Sequence, residues 1–196
     1  MPATTSARMI VLNGGSSSGK SSVARALQEL LPGIWLTFGV DTFIEALPGR
    51  GDSPRSGIVF DADGAVLLSD EYTRLEDAWY SGLGSMVASG ADVILDEVLL
   101  SGSAGQRRLR AALGAETLIW VGVRCDPDVA AAREAARGDR VAGMARRQAS
   151  AVHTGVSYDV EVDTTSHSPA ECARVIADFL RSTTPQAAEE APDSTG

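Results

Sequence analysis

Positive charge is scarce in this sequence of 196 residues, and lysine is scarcer still. Seventeen Lys and Arg residues stand against 26 Asp and Glu, which gives a formal net charge of -9 at pH 7. Nucleic acids and anionic membrane surfaces are bound through clustered positive charge, so the sequence argues against both partners. The single lysine, Lys20, follows a glycine. This excludes the Asn-Lys-x-Asp motif by which switch GTPases commonly read guanine.

Cysteine, histidine and long apolar runs are also lacking. Cys125 and Cys172 are not in C-x-x-C or metal-ligand spacing, and His153 and His167 are isolated, so we expect free thiols and no zinc site. No segment has the roughly eighteen apolar residues needed to span a bilayer, and the polar N-terminus lacks the apolar core of a signal peptide. The sequence therefore predicts a cytoplasmic protein.

The length and the 44% hydrophobic content fit one folded domain. We expect this domain to span residues 8–182. A flexible N-terminus, residues 1–7, precedes it, and a disordered acidic tail, residues 183–196, follows it. The sequence leaves the oligomeric state open, a homo-oligomer included.

The most informative stretch runs from Gly14 to Ser21 and fits the Walker A pattern G-x-x-x-x-G-K-[ST]. An apolar run precedes it and residues at helical spacing follow it, which predicts a strand, a glycine-rich turn and a helix. In such a loop backbone N–H groups converge on phosphate, Lys20 approaches the β and γ phosphates, and the Ser21 hydroxyl ligates Mg²⁺. We therefore predict ATP and Mg²⁺ as cofactors, bound by Gly14, Gly15, Ser16, Ser17, Ser18, Gly19, Lys20, Ser21 and Ser22.

Apolar strands alternate with helices along the chain, which indicates an α/β fold with a parallel five-stranded sheet and helices on both faces. Residues 58–60 and 66–68 predict a hairpin, and residues 48–57 a mobile loop. The strands of the sheet are predicted at residues 9–12, 34–40, 92–95, 117–123 and 158–162. Ligands of such sheets bind at the carboxyl ends of the strands.

Acidic residues follow two of these strands. Asp41 comes after the strand 34–40, where a carboxylate can accept the proton of a substrate hydroxyl during phosphoryl transfer. The alternative is a helix N-cap, but Thr42 and Glu45 offer the better capping box. Asp96 follows the strand 92–95 in a Walker B arrangement, which places a carboxylate near the metal, and Glu97 would then face the substrate. The sequence leaves open which of the two acids has which role.

Arginines and aromatic residues complete the predicted site. Arg133, Arg137 and Arg140 flank Gly138, as in a closing lid of about residues 133–150, with Arg133 on the nucleotide and the other two on the transferred phosphoryl group. The alternative is a solvated helix in which Glu134 pairs with Arg133 or Arg137. For the acceptor, contacts are predicted from Asp41, Glu97 and two phenylalanines beside mobile segments, Phe43 and Phe60.

Several blocks of the sequence resemble the chloramphenicol phosphotransferase family. They are residues 10–17 with Lys20 and Ser21, 38–41, 60–64, 120–125, 136–144 and 158–165, and the resemblance spans about residues 8–180. It implies a P-loop kinase fold and the ATP-dependent phosphorylation of the primary hydroxyl of chloramphenicol, a self-protection activity of actinomycetes that confers resistance. By position, it makes Asp41 the general base, Gly14 to Ser21 the ATP loop, and Arg137 and Arg140 the lid arginines.

Two departures from the family pattern leave the acceptor open. Residues 48–55 match no block of the family, and Asp96-Glu97 stands where two aspartates are expected. The acceptor is therefore chloramphenicol, a relative of it, or another hydroxylated small molecule. A nucleotide kinase and a non-catalytic nucleotide-binding regulator are the competing functions, and the carboxylate at position 41 favours transfer to an alcohol.

Overall fold

The computed structural model describes residues 8–51, 53–60, 66–114, 118–137 and 143–183. Its strands are β1 (Met9–Asn13), β2 (Trp35–Gly39), β3 (Ile58–Phe60), β4 (Val66–Leu68), β5 (Asp92–Glu97), β6 (Leu118–Arg124) and β7 (Val160–Asp163). Its helices are α1 (Lys20–Leu30), α2 (Val40–Ala46), α3 (Asp70–Ala88), α4 (Ser103–Leu113), α5 (Pro127–Arg137), α6 (Met144–Ala151) and α7 (Pro169–Thr183). The predicted N-terminus and nearly all of the predicted tail lie outside these residues.

Within the described residues, five parallel strands form the main sheet in the order β2-β5-β1-β6-β7. The predicted parallel five-stranded sheet is confirmed. Strand β1 lies at its centre and pairs with β5 and β6, so the loop that follows β1 begins in the middle of the carboxyl edge. All five residues of β1 are buried, since helices cover both faces of the sheet.

Two apolar clusters form the core, one on each face of the sheet. Side chains of α1 and α7 pack around Ile10, Leu12 and Ile94 on one face. On the other face, side chains of α3 and α4 pack around Val11, Leu95 and Trp120. The alternation of β1 residues between the two clusters is the period of two that a strand imposes.

The turn from β2 into α2 differs from the prediction. The helix begins at Val40 with Gly39 as its N-cap, and Thr42 lies in the first turn, where its Oγ1 accepts a hydrogen bond from Gly39 N–H at 3.3 Å. The predicted cap at Thr42 with Glu45 is therefore wrong. A Cβ at Gly39 would lie 2.9 Å from Asp96 O, so crowding between β2 and β5 excludes a side chain there.

The segment after α2 is more regular than predicted. Pro54–Ser56 forms a short 3-10 helix, and Pro48–Gly51 forms a tight turn in which Gly49 and Arg50 have left-handed φ values of 63° and 54°. The mobility of this loop stays a prediction. The antiparallel pair of β3 and β4 confirms the hairpin. None of the described helices is long and apolar enough to cross a membrane.

Candidate active site

The phosphate loop leaves the carboxyl end of β1 and enters α1 at Lys20. Gly19 adopts a left-handed φ of 93°, and Ser17, although not a glycine, a φ of 58°. A Cβ at Gly14 would lie 2.6 Å from Val123 O on the neighbouring strand β6, so this position admits no side chain. The hydroxyls of Ser17 and Ser18 are buried and have no hydrogen-bond partner among the residues that the structure describes. Such a loop can supply N–H and hydroxyl donors to a phosphate.

Lys20 lies beneath this loop and is 6% exposed. Its Nζ donates to Gly14 O at 2.8 Å and to Gly15 O at 2.9 Å, and it lies 3.5 Å from Asp96 Oδ1. Burial lowers the pKa of Lys20, and the Asp96 carboxylate acts in the opposite direction. The ammonium group is therefore held at the base of the phosphate site by carbonyls and one carboxylate.

Ser21 and Asp96 form the place where a metal ion would be held. Ser21 Oγ donates to Asp96 Oδ2 at 2.7 Å, which brings a hydroxyl and a carboxylate to one point beside the phosphate loop. No group of three or more His, Cys, Asp or Glu residues that could hold a metal occurs in the described part of the chain. Mg²⁺ in phosphotransfer sites takes one or two protein oxygens together with phosphate oxygens and water, and this pair fits that pattern.

One cavity of about 1050 Å³ is lined by the phosphate loop and by side chains of several other elements. Asp41, in the first turn of α2, lines this cavity together with Lys20 and Asp96. We call the part of the cavity outside the phosphate loop the acceptor chamber, and its lining includes Leu68, Glu76, Leu99 and Arg108. The cavity thus places the predicted base, the phosphate loop and the predicted metal ligand around one space.

Glu97 lines the same cavity and is 2% exposed. Tyr80 OH donates to its Oε1 at 3.1 Å. Burial, followed by the charge of Glu76, raises the pKa of Glu97 to about 8, so this carboxyl is largely protonated at neutral pH. Asp96 contacts both Ser21 and Lys20, whereas the Glu97 carboxyl is bonded to Tyr80. The arrangement favours Asp96 for the metal and Glu97 for the acceptor.

An ion pair in the acceptor chamber was not predicted from the sequence. Arg108 of α4 donates to Glu76 of α3 at 2.6 Å and lies 2.8 Å from Asp77, and both Arg108 and Glu76 line the cavity. Glu76 and Arg108 are separated by a stretch of chain that would span about 100 Å if fully extended. No local sequence pattern indicates that these two residues form an ion pair. Only the packing of α3 against α4 brings them together.

Arg133 meets the phosphate loop from α5. Its guanidinium donates to Thr164 O at 2.7 Å, and it lies 3.7 Å from where a Cβ of Gly19 would be. Thr164, just after β7, in turn donates to Ser18 O at 2.5 Å. Arg133 therefore lines the cavity beside the phosphate loop, and its contact with the nucleotide stays a prediction. Arg137 is the last residue of α5, but its side chain lies outside the description. Arg140 lies outside the described residues altogether.

Glu134 has a different role from the predicted surface ion pairs. It is buried, and its carboxylate accepts hydrogen bonds from Gly143 N–H and Ala145 N–H, both at 2.7 Å. These donors are among the unpaired N–H groups at the start of α6, so Glu134 caps that helix from outside. The predicted pair of Glu134 with Arg133 is not seen, because the Arg133 guanidinium donates to Thr164 instead. The pair with Arg137 lies outside the described side chains and stays a prediction.

A buried network behind the loop fixes the end of β1. Asn13 Nδ2 donates to Val152 O at 2.8 Å and to Tyr158 OH at 2.6 Å, and Asn13 Oδ1 accepts from Leu99 N–H at 3.0 Å. Tyr158 OH lies 2.6 Å from His153 Nδ1. Burial, followed by the charge of Arg124, lowers the pKa of His153 to about 4, so the ring is neutral and accepts at Nδ1.

The chain matches a known family over residues 7–181, and that family is described as chloramphenicol phosphotransferase-like protein. The chain belongs to the chloramphenicol phosphotransferase-like family. It is also 33% identical over 180 residues to a protein of two Mycobacterium tuberculosis strains that carries the provisional name O-phosphotransferase. That match covers 85% of this chain and 79% of the relative. The resemblance seen in the sequence is confirmed, and with it phosphotransferase activity.

Solved structures of P-loop kinases share the fold. The chain superposes on a sugar kinase from Janibacter sp. HTCC2649 with a TM-score of 0.62 at 16% identity, covering 89% of this chain and 95% of that one. For shikimate kinase from Acinetobacter baumannii the TM-score is 0.59 at 15% identity, with 94% and 98% covered. For the tunicamycin resistance protein of Deinococcus radiodurans it is 0.60 at 20% identity, with 89% and 96% covered. The predicted P-loop kinase fold is confirmed.

The two phenylalanines predicted to contact the acceptor do not both fall on the cavity. Phe43 is not among the residues that line it and is buried against Leu47, Tyr72 and Trp79. Phe60 ends β3, and the position of its side chain lies outside the description. Phe38, in strand β2, is half-buried and lines the cavity. The aromatic residues that line the cavity, among the described residues, are thus Phe38, Tyr72 and Tyr80 rather than Phe43.

Proposed function

We propose that this protein transfers the γ-phosphoryl group of ATP to a hydroxyl of a small-molecule antibiotic, in the first place the primary hydroxyl of chloramphenicol or a relative, and thereby confers resistance. The observation that carries the proposal is the position of Asp41. Asp41 lines the cavity that also holds the phosphate loop, and apolar side chains such as Leu68 and Leu99 line the same cavity. Membership of the family supports the same acceptor.

The residues around the nucleotide end would bind and orient the donor. Mg²⁺-ATP, when bound, would supply the phosphoryl group, and the metal would offset the negative charge of the phosphate oxygens. The phosphate-loop N–H groups and Lys20 would bind the phosphate oxygens, while Ser21 and Asp96 would hold the metal. Arg133 would contact the nucleotide from the opposite wall of the cavity, beside Gly19.

Asp41 would act on the acceptor. As the hydroxyl oxygen forms its bond to phosphorus, the bond from that phosphorus to the bridging oxygen of ADP breaks, and the hydroxyl proton passes to the Asp41 carboxylate. Glu97, protonated in its buried position beside Tyr80, would donate a hydrogen bond to an acceptor group of the antibiotic. The two acids therefore serve different ends of the same molecule.

The position of Asp41 favours an alcohol over a nucleotide as the acceptor. An alcohol must lose a proton during the transfer and so needs a base, whereas the phosphate of a nucleotide acceptor is already ionised. Another hydroxylated metabolite of similar polarity is the second candidate. Chloramphenicol is preferred because the family description names it.

A mass-spectrometric screen tests the proposal. The purified protein is incubated with Mg²⁺-ATP and, separately, with chloramphenicol, other hydroxylated antibiotics, sugars and nucleoside monophosphates. We expect one phosphoryl group on chloramphenicol or a close relative, and raised tolerance in a sensitive host that expresses the protein. Phosphorylation of a nucleotide alone, or of none of these compounds while ATP still binds, would overturn it.

A further inference from the structure

Helix α6 is joined to the phosphate loop by a hydrogen bond to which the proposed function assigns no role. Ser16 N–H donates to Gln148 Oε1 at 2.8 Å. A backbone N–H can only donate, and Oε1 is the one acceptor of a glutamine side chain, so the chemistry fixes which way the Gln148 amide points. Gln148 also lines the cavity between the phosphate loop and α6.

The Ser16 N–H belongs to a peptide group that is held at its other end as well. The carbonyl of that peptide, Gly15 O, accepts from Lys20 Nζ at 2.9 Å and from Ser18 N–H at 3.3 Å. Because a peptide group is planar, bonds at its N–H and its C=O together oppose its rotation about the two flanking backbone bonds. Gln148 supplies the N–H side of this restraint.

The neighbouring residue shows why the peptide needs restraint. Ser17 has a φ of 58°, in the left-handed region that residues with a side chain rarely adopt. Strained conformations of this kind persist where the surroundings hold them. A rotated Gly15–Ser16 peptide would withdraw a carbonyl from Lys20 and alter the path of the loop into Ser17.

Helix α6, which carries Gln148, is itself held in place by contacts with other elements. Glu134 caps its N-terminal end through Gly143 and Ala145, and Val152 O, just after the helix, accepts from Asn13. Its backbone also packs on the loop, since a Cβ at Gly15 would lie 3.2 Å from Ala149 N. The helix is thus attached to α5, to β1 and to the loop itself.

We propose that Gln148 is a positioning residue for phosphoryl transfer: it holds the Gly15–Ser16 peptide in the orientation in which the loop N–H groups and Lys20 can receive the nucleotide phosphates. This proposal rests on the proposed use of ATP. It assigns to Gln148 an effect on the loop and on nucleotide affinity, and no contact with the alcohol acceptor.

Gln148→Met tests the proposal, because methionine keeps the length of the side chain but cannot accept this hydrogen bond. We expect hydrogen exchange at the Ser16 amide of the nucleotide-free protein to become about 10-fold faster, and the Kd for a non-hydrolysable ATP analogue with Mg²⁺ to rise about 10-fold. Gln148→Glu keeps an acceptor at the same place. The Gln148→Glu variant should restore slow hydrogen exchange at the Ser16 amide. Its negative charge beside the phosphate site should still weaken binding of the ATP analogue.

Gln106→Met is the matched control. Gln106 is buried, makes two hydrogen bonds to Ser157 at 2.7 and 3.1 Å, and is not among the residues that line the cavity. Its loss should lower thermal stability while leaving Ser16 exchange and the Kd for the ATP analogue unchanged. Equal Ser16 exchange in Gln148→Met and Gln106→Met would overturn the proposal and leave Gln148 a packing residue.

Neither measurement needs the alcohol acceptor, so the two proposals fail separately. A wild-type protein that does not bind the ATP analogue would overturn the proposed function, while Ser16 exchange would still report on the Gln148 contact. If Gln148→Met does not fold, Gln148→Ala removes the same acceptor, and faster Ser16 exchange is again the expected result. Unchanged exchange in the alanine variant would overturn the proposal.

Discussion

At the scale of single residues, Asp41 is the side chain whose role most needs a direct test. It lies in the first turn of α2, where the helix dipole favours an acid whatever the chemistry. A role at the start of a helix does not explain why Asp41 also lines the cavity beside the residues of the phosphate loop.

Asp41→Asn keeps the size of the side chain but removes the basic oxygen that would take the hydroxyl proton. We expect kcat to fall about 10²- to 10⁴-fold while the Kd for Mg²⁺-ATP stays near the wild-type value. Single-turnover phosphoryl transfer and nucleotide titration measure the two. Glu45→Gln, on the exposed side of the same helix and away from the cavity lining, is the control for helix effects. Full activity in Asp41→Asn would show that the transfer runs without this base.

Lys20→Arg keeps the positive charge but replaces a slender ammonium with a wide planar group. Lys20 Nζ fits between Gly14 O and Gly15 O at 2.8 and 2.9 Å, in a position that is almost fully buried. We expect the guanidinium to displace the loop and kcat to fall at least about 10²-fold, although the net charge is unchanged. Arg25→Lys, an exposed cavity residue one turn further along α1, should retain activity, and an active Lys20→Arg would show that charge alone suffices.

At the scale of secondary structure elements, the start of α6 depends on a carboxylate from another helix. Gly143, its N-cap, offers no side chain to satisfy the first N–H groups, and Glu134 of α5 does so instead. This contact ties together the two helices of the predicted lid. Opening of the lid must therefore either carry both helices or break two hydrogen bonds to a buried charge.

Glu134→Gln should expose that dependence. The amide retains one acceptor oxygen but places an NH₂ group against a second backbone donor, so we expect a loss of about 1 to 3 kcal/mol in the free energy of unfolding. Urea denaturation measures it. Glu171→Gln is the control, because Glu171 accepts from Ser168 at an exposed helix start, and water can replace that bond. A loss in Glu134→Gln no larger than in Glu171→Gln would contradict the capping role.

At the scale of the whole molecule, His153 links stability to pH. Its pKa is lowered to about 4 in the folded protein, so between this value and the unfolded value of about 6.5 the unfolded chain binds more protons. The contribution of His153 to the free energy of unfolding is therefore fully present above pH 6.5 and is lost as the pH falls towards 4. The shift corresponds to roughly 3 kcal/mol.

The wild-type protein and His153→Gln can be compared by urea denaturation at pH 7.5 and at pH 4.5. We expect the wild type to lose more free energy of unfolding between the two conditions than the variant does, because only the wild type carries the titrating ring. Other groups that face the ring, Arg124, Glu161 and Lys20, are common to both proteins. Parallel losses in the two proteins would show that His153 is not the source of the dependence.

Local patterns in the sequence were sufficient for the sheet and for the phosphate end of the site. The spacing of Gly14, Gly19 and Lys20 marks the loop, and strand ends mark Asp41 and Asp96, because parallel strands bring their carboxyl ends to one edge. The start of α2 was misplaced because Gly39 is selected by crowding against Asp96 O, which no local pattern shows.

Contacts between separate helices could not be predicted in the same way. Arg108 with Glu76, Glu134 with the start of α6, and Gln148 with Ser16 each join elements far apart in sequence. Phe43 was misjudged because the apolar character that suits a ligand wall suits a core equally well. For such residues the decisive quantity is which neighbour covers the side chain, and that is a property of the packed molecule.

The hydrogen bonds of Asn13 also bear on how the protein ages. Asn13-Gly14 is the type of dipeptide in which asparagine is lost to deamidation, when the following backbone nitrogen attacks the side-chain amide carbon. Here three hydrogen bonds hold that amide in place, and the attacking nitrogen, Gly14 N, is itself bonded to Glu97 O at 3.3 Å. The folded chain should therefore keep Asn13 intact through long storage, while the urea-unfolded chain should lose it within the same period. Peptide mass spectrometry of the two samples would show the difference. Because deamidation is irreversible, its extent at Asn13 would then measure how long the protein has spent unfolded.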